Sequence, residues 1–510
     1  MTSQPSLPSV GRRWLIIVTV MAATLMQILD TTIANVALPH MQASLGATPE
    51  SIVWVLTSYI MMAAIATPIT GWLETRFGRR NIFAISIAGF TISSALCGMA
   101  TSLEMMVASR ALQGIFGAFI GPLGQATLLD SSPREKHPQA MMIWGMGIMI
   151  GPIMGPVLGG WLTDNYGWRW VFFINVPIGI VATAGIWLLL DRIELARRRF
   201  DAIGFALLAL TLASLQLMLD RGSQRDWFES TEILIEAGIV IGALWMFIVH
   251  SFTSPSPLLP LAIFRDRNFI LAVAFTMLVM GVMMAGAVLV APMLQILMGY
   301  DAMDAGMMMM PRGIGALISM PIATYLTGKA DTRLLIAVGL SLMALSLWMM
   351  TGFDLEMGQE PLIVSGLVQG VGIGCVFLPL NILAFSTLAP HLRTEGAAFY
   401  NLARSVGGSI TISIMGALLA RNVQVSHSDL AAHITSTGVP IIESSMLERF
   451  GIAGVTAVRM IDAEVNRQAL MIAYLDDFLV MQWVAIFALP LVLFMRRAKK
   501  VEGVPPVHME

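Results

Sequence analysis

One acid stands where lipid should be. Met26-Gln27-Ile28-Leu29-Asp30-Thr31-Thr32-Ile33-Ala34-Asn35 lies in the second half of an apolar run that starts near Trp14. A carboxylate at the centre of a membrane helix costs about 2.5–3.5 kcal/mol on insertion scales. Every other acid falls in a loop or within a turn or two of an expected helix end, so Asp30 is the one expected well inside. A carboxyl so placed can take up and release a proton as its surroundings change. Three arginines, Arg110, Arg312 and Arg404, also fall inside apolar runs. The first run leaves the membrane near Ala37, seven residues or roughly 10 Å beyond Asp30. The fourth enters from the same side near Glu104, six residues or roughly 9 Å before Arg110. Asp30 and Arg110 are therefore expected at one level. Burial favours the neutral acid and a guanidinium favours the carboxylate, a balance suited to proton coupling. Arg312 and Arg404 have no acid at similar depth. With Gln27, Asn35, Gln113, Gln369, Asn381 and Asn401 they are candidates for a water-accessible, substrate-binding interior, although any one amide can serve as a simple helix–helix hydrogen bond.

The elements that must position these residues are membrane helices. The chain has 510 residues, 56% hydrophobic and 12% charged, against about 25% charged in a soluble protein. This predicts an all-α polytopic membrane protein. Fourteen apolar runs fall near 14–38, 52–72, 81–100, 104–129, 139–163, 168–190, 202–219, 232–251, 268–291, 304–327, 333–352, 361–385, 396–420 and 475–495. Twenty Lys and Arg lie on the side of the termini and seven on the other, which predicts both termini in the cytoplasm. The run after Arg12-Arg13 is too long for a signal-peptide core and reads as a retained first helix. The two cysteines, Cys97 and Cys375, sit in separate runs and read as packing residues.

The fifth run carries the strongest pattern. Gly147, Gly151, Gly155 and Gly159 recur every four residues, with Pro152 and Pro156 on a neighbouring face and Gly160 following. Such a glycine face lets another helix approach closely, and the prolines bend the helix. It predicts a seam, between domains or between helices, used in conformational change. Arg110-Ala-Leu-Gln113-Gly114 in the fourth run is echoed by Gly366-Leu-Val-Gln369-Gly370 in the twelfth. The close of the second run, Gly71-Trp-Leu-Glu74-Thr75-Arg76-Phe-Gly78-Arg79-Arg80, is echoed by Tyr325-Leu-Thr-Gly328-Lys329-Ala-Asp331-Thr-Arg333. The second and tenth runs are then equivalent, with the seventh and eighth inserted between two parallel sets of six. The domains are expected as a cytoplasmic N-terminus over 1–13, a six-helix bundle over 14–190 and a linker with two extra helices over 191–267. A second bundle follows over 268–495, holding a non-cytoplasmic loop at 421–474, and then a cytoplasmic tail over 496–510.

On these residues the chain resembles the fourteen-helix drug:proton antiporters of the major facilitator superfamily, of the EmrB/QacA type. Leu29-Asp30-Thr31-Thr32-Ile33-Ala34-Asn35-Val36-Ala37-Leu38-Pro39 is similar to the family's first-helix motif. Gly151-x3-Gly155-Pro156-x2-Gly159-Gly160 resembles its antiporter motif, with Met142 where the family has a further glycine. Trp168-Arg169-Trp170 through Asn175-Val-Pro177 fits the sixth helix, and Arg110, Gln113 and Gly114 the fourth. The resemblance implies two six-helix bundles plus two inserted helices. It also implies a cytoplasmic gate loop made by Gly71, Glu74, Arg76, Gly78 and Arg79. In that loop the usual acid is replaced by Thr75, with Glu74 beside it.

The implied activity is export of amphipathic or lipophilic compounds across the inner membrane, driven by proton entry, in contact with membrane lipids and without nucleic acid. EmrB-like exporters of double-membraned bacteria work with a periplasmic adaptor and an outer-membrane channel, which makes these possible partners by resemblance. No cofactor beyond the proton gradient and no metal is expected. The sequence has no Gly-x4-Gly-Lys-Ser/Thr loop for ATP and no metal or nucleophile constellation, which leaves a membrane-embedded enzyme with little support. A proton-coupled uptake symporter on the same fold is the other alternative. Met307 to Met310 head a set of 39 methionines that would suit varied ligands wherever they face a cavity. Val455, Val458, Ile461, Val465, Ala469 and Ile472 predict an amphipathic helix leading into the last run.

Overall fold

Backbone buried in lipid must satisfy its own hydrogen bonds, and a chain this apolar does so as helices. The computed structural model describes residues 9–133, 136–191, 199–222, 225, 227–327, 329, 331–389, 392–434 and 452–495, and among them there is no strand. The long helices are α1 Val10–Leu45, α2 Trp54–Phe77, α3 Arg79–Gly98, α4 Leu103–Asp130, α5 His137–Tyr166, α6 Trp170–Leu189, α7 Ala202–Arg221, α8 Thr231–Thr253, α9 Arg267–Leu297, α10 Ala302–Thr327, α11 Thr332–Met350, α12 Gln359–Ser386, α13 Arg393–Ala432 and α14 Ile452–Ala488. Twelve of these are long and apolar enough to cross a membrane. The other two, α5 with 30 residues and α10 with 26, measure roughly 45 and 39 Å at 1.5 Å per residue, which is compatible with fourteen spans.

Proline sets the local irregularities, because it removes a backbone donor. Pro68 lies in a tightened turn, Thr67–Ile69, inside α2, and Pro292 precedes a widened turn, Met293–Leu297, at the end of α9. The packing repeats with an offset of eight helices. In the first bundle α2 and α3 pack on α4, and α1 on α5; in the second α10 and α11 pack on α12, and α9 on α13. The two bundles meet chiefly where α5 lies on α10 and where α2 and α4 lie on α13. The inserted pair packs mainly on itself and on α2 and α13 through Leu208, Leu212, Phe247 and Leu402.

The last two helices run longer than hydropathy predicts. α13 continues to Ala432, and α14 begins at Ile452 and runs unbroken through the expected amphipathic segment. Val465 and Ala469 are buried, whereas Ile472 of the expected apolar stripe is exposed. The two helices pack together, with His427 Nε2 3.2 Å from Asp462 Oδ1. Val455 and the basic residues Arg134, Arg192, Arg197, Arg198, Arg449, Arg496, Arg497, Lys499 and Lys500 lie outside the described residues or side chains.

Candidate functional site

The first bundle closes around Asp30. Its carboxyl is 0% exposed and its partner Arg110 is 1% exposed. Arg110 Nη1 donates to Asp30 Oδ2 at 2.7 Å, while Gln113 Nε2 and Asn175 Nδ2 donate to Oδ1 at 2.9 and 2.8 Å. A second layer holds the donors. Gln113 Oε1 accepts from Arg110 Nη1 at 2.7 Å, Arg110 Nε donates to Val55 O at 3.1 Å, and Asn175 Nδ2 reaches Ser94 Oγ at 3.0 Å. The guanidinium lies 4.4 Å from the centre of the Tyr59 ring. Five helices, α1, α2, α3, α4 and α6, thus converge on one carboxylate. Asp30 faces donors on both oxygens, one of them a fixed cation, so a proton added here would meet N–H groups and no acceptor. Protonation therefore requires these partners to move. Asn175 and Ser94 were not among the candidate site residues, because amides and serines are common as plain helix contacts.

The glycine face of α5 packs on α1 within the same bundle. A side chain at Gly147 would strike Met21, at Gly151 Ile28, and at Gly155 Thr32, whose Cβ is 2.6 Å from the added carbon. A carbon added at Gly159 would lie 3.0 Å from Ile33. Gly160 does not belong to this seam: nothing lies within 4 Å of a carbon added there, since the next residue on a helix turns about 100° away. Pro152 and Pro156 share the helix, but their side chains lie outside the description. The contact between bundles uses another face of α5, where a carbon added at Gly145 would lie 3.4 Å from Met320 and 3.5 Å from Phe377.

At the end of the molecule carrying the α2–α3 turn, the two bundles are joined. Gly78 makes that turn with φ 84°, a conformation that favours glycine. Arg79 pairs with Glu74 at 2.6 Å and with Asp130 at 2.8 Å, and Asp130 also receives Arg393 of α13 at 2.6 Å. Glu74 thus pairs with the arginine in place of the acid absent at Thr75. Gly71 lies under the Glu395 side chain, with 2.8 Å from an added carbon to Cδ. Arg76 is exposed and makes no ion pair or side-chain hydrogen bond among the described residues, so it stands apart from this cluster. Beside it, burial and then the Arg393 guanidinium hold His137 below its ordinary pKa.

Deeper between the bundles, Gln125 Nε2 donates to Asn381 Oδ1 at 3.1 Å, and Asn401 Nδ2 donates to Gln125 Oε1 at 3.2 Å. Gln125 and Asp130 were missed in the sequence: their cross-bundle partners, Asn381 and Asn401 for the amide and Arg393 for the acid, reach them only once the second bundle docks.

The remaining candidates scatter. Gln27 donates to Gly117 O at 2.8 Å. Asn35 is exposed and does not join the Asp30 network, because five residues along a helix turn it away from that face. Arg404 is half-buried on α13, one turn beyond Tyr400. Arg312 and Gln369 carry buried N–H groups without acceptors. Asp30 is not the one acid inside: Asp477 on α14 is 0% exposed with both oxygens unpartnered. Hydropathy placed it at the edge of the last run, whereas the helix is continuous there.

This architecture, two like bundles about a buried charge network, is that of a secondary transporter, and the chain belongs to the major facilitator superfamily, whose profile matches residues 20–412. Within it the chain is of the EmrB type. It is 34% identical to "Multidrug export protein EmrB" of Haemophilus influenzae over 89% of this chain and 90% of the relative. Identity to the Escherichia coli protein of the same name is 35%, over 92% and 93%. It is 33% identical to "Fatty acid resistance protein FarB" of Neisseria gonorrhoeae, over 95% of each. Among solved structures, the proton:xylose symporter XylE shares the fold with a TM-score of 0.58 at 14% identity, covering 96% of this chain and 97% of the other.

Proposed function

We propose that this protein is a proton-driven exporter of amphipathic or lipophilic compounds, with Asp30 as the coupling carboxyl and Arg110 as its modulator. The observation that carries the reading is a fully buried acid on α1 held by three donors, two from α4 and one from α6. Deprotonated, Asp30 binds α1 to α4 and α6. Protonated, it loses its attraction to Arg110 and frees α1, which lies along the glycine face of α5. That coupling turns proton uptake into helix movement. The bundles over 14–190 and 268–495 then rock against each other, with the 191–267 pair alongside.

In this reading both termini and the Arg79–Asp130–Arg393 cluster face the cytoplasm, in the inner membrane, and the gate is closed on that side. Relatives named for multidrug export support outward transport and lend nothing to the symport alternative. The α13–α14 hairpin would stand on the periplasmic side, where an adaptor leading to an outer-membrane channel could dock. No cofactor enters: the gradient supplies the energy. Purified protein in proteoliposomes tests the reading. Lipophilic compounds added at a fixed pH gradient should release protons in step with their transport; transport unaffected by collapse of the gradient would refute it.

A further inference from the structure

On α10 and α12, inside the second bundle, three buried N–H nitrogens lack an acceptor among the described residues. Arg312 on α10 has Nε and Nη2 buried and unpartnered, and Gln369 on α12, 1% exposed, leaves Nε2 unpartnered. Buried donors are nearly always satisfied, and a buried cation without a partner is costlier still. The internal duplication says what is missing. In the first bundle Gly114 of α4 lies on the carbonyl of Tyr59 in α2; in the second Gly370 of α12 lies on the carbonyl of Arg312 in α10. Arg312 therefore occupies the place of Tyr59, and Gln369, one residue before its glycine, the place of Gln113. In the first bundle the amide of Gln113 and the nearby guanidinium share an acid from α1. The equivalent helix, α9, contains no Asp or Glu from Arg267 to Leu297. On α9, Gly286 lies against the guanidinium: a carbon added there would be 2.9 Å from Arg312 Nη2. Asp477 of α14, a buried acid of the same bundle, has both oxygens unpartnered and so does not reach these donors.

We propose that Arg312 and Gln369, over Gly286, form a carboxylate-binding site that takes the acid headgroup of an amphipathic substrate. This rests on the export reading and names a substrate class for it. A guanidinium fork matches a carboxylate in shape and charge, and the amide adds a third donor, as Gln113 does for Asp30. Met308 and Met309 lie one turn from Arg312 on the same helix face and are partly buried. They give a flexible apolar wall for the tail.

Calorimetric titration of the whole protein in nanodiscs with decanoate, decanol and decyltrimethylammonium tests the site. The wild type should bind decanoate more tightly than decanol by about tenfold or more, the worth of a charge-assisted contact. Arg312→Gln should lose that preference and keep decyltrimethylammonium affinity; Arg312→Lys should keep part of it. Gly286→Asp supplies an internal carboxylate, so it should lose decanoate binding and melt at a higher temperature. Equal decanoate affinity in wild type and Arg312→Gln overturns the site. So does protection of the wild type by chloride equal to that by decanoate, which would mark an inorganic-anion site. Proton-driven efflux of decyltrimethylammonium is measured alongside: its persistence with failed decanoate binding removes the site and leaves the export reading, and its absence in a decanoate-binding wild type does the reverse.

Discussion

Replacing Gln125 by leucine should open the end of the molecule that is closed here. Gln125 makes two hydrogen bonds across the bundles, to Asn381 and from Asn401, at 3.1 and 3.2 Å. Both asparagines also donate to carbonyls of their own helices, to Phe377 and Ala397, at 2.8 Å. They therefore stay posed when the glutamine goes, and the loss is confined to the bridge. Each bond is worth about 0.5–1.5 kcal/mol net, so the pair contributes about 1–3 kcal/mol, or a factor of about 5–150 in the ratio of closed to open. The bridge exists only when the bundles touch at this end, so the whole amount weighs on that equilibrium. Spin labels at the exposed positions Arg76 and Lys329, at the ends of α2 and α10, would report it by pulsed electron resonance in nanodiscs. Gln125→Leu should move population from the short distance to the long one. An unchanged distribution in a folded variant would refute the assignment of the amide bridge as a lock.

Gly155→Leu should abolish efflux while leaving folded protein, because its side chain strikes Thr32 across the α1–α5 seam and overpacking costs about 1–3 kcal/mol; Gly160→Leu, with open space before it, should transport as wild type in the same vesicle assay. Glu74→Gln breaks the 2.6 Å pair with Arg79 and should raise the open fraction measured with the same labels, whereas Arg76→Gln should not, as judged by cysteine accessibility at this end. Cysteines at the exposed Ser428 and at Gly503 should react from opposite faces of intact membranes; reaction from one face would contradict the orientation.

Most of the architecture was legible because lipid imposes a coarse rule, a run of about 20 apolar residues per helix. The Asp30–Arg110 pair was legible for a related reason. Charge inside such a run is costly, and counting residues from the two outer ends placed both at one depth. Asn175, Ser94 and Gln125 were not, since polar groups without charge carry little penalty in a sequence and gain meaning only from the helix opposite. Asp477 escaped because hydropathy ends a span where acids cluster, while the backbone of α14 continues through. Gly160 was assigned to the seam by adjacency, although one residue rotates it off the face its neighbours share. The echo of Gln113-Gly114 in Gln369-Gly370 was visible in the chain. That it surrounds an acid in one bundle and none in the other required the packing of α9 against α10.

The central claim is that protonation of Asp30 drives transport, and substrate accumulation against its gradient measures it most directly. In proteoliposomes with an imposed pH gradient, Asp30→Asn should bind and exchange a neutral labelled substrate as the wild type does, yet fail to concentrate it. The amide replaces the carboxylate in a site that is 0% exposed and cannot titrate. Concentrative transport by Asp30→Asn at the wild-type rate per molecule, with an unchanged pH profile, would contradict the account.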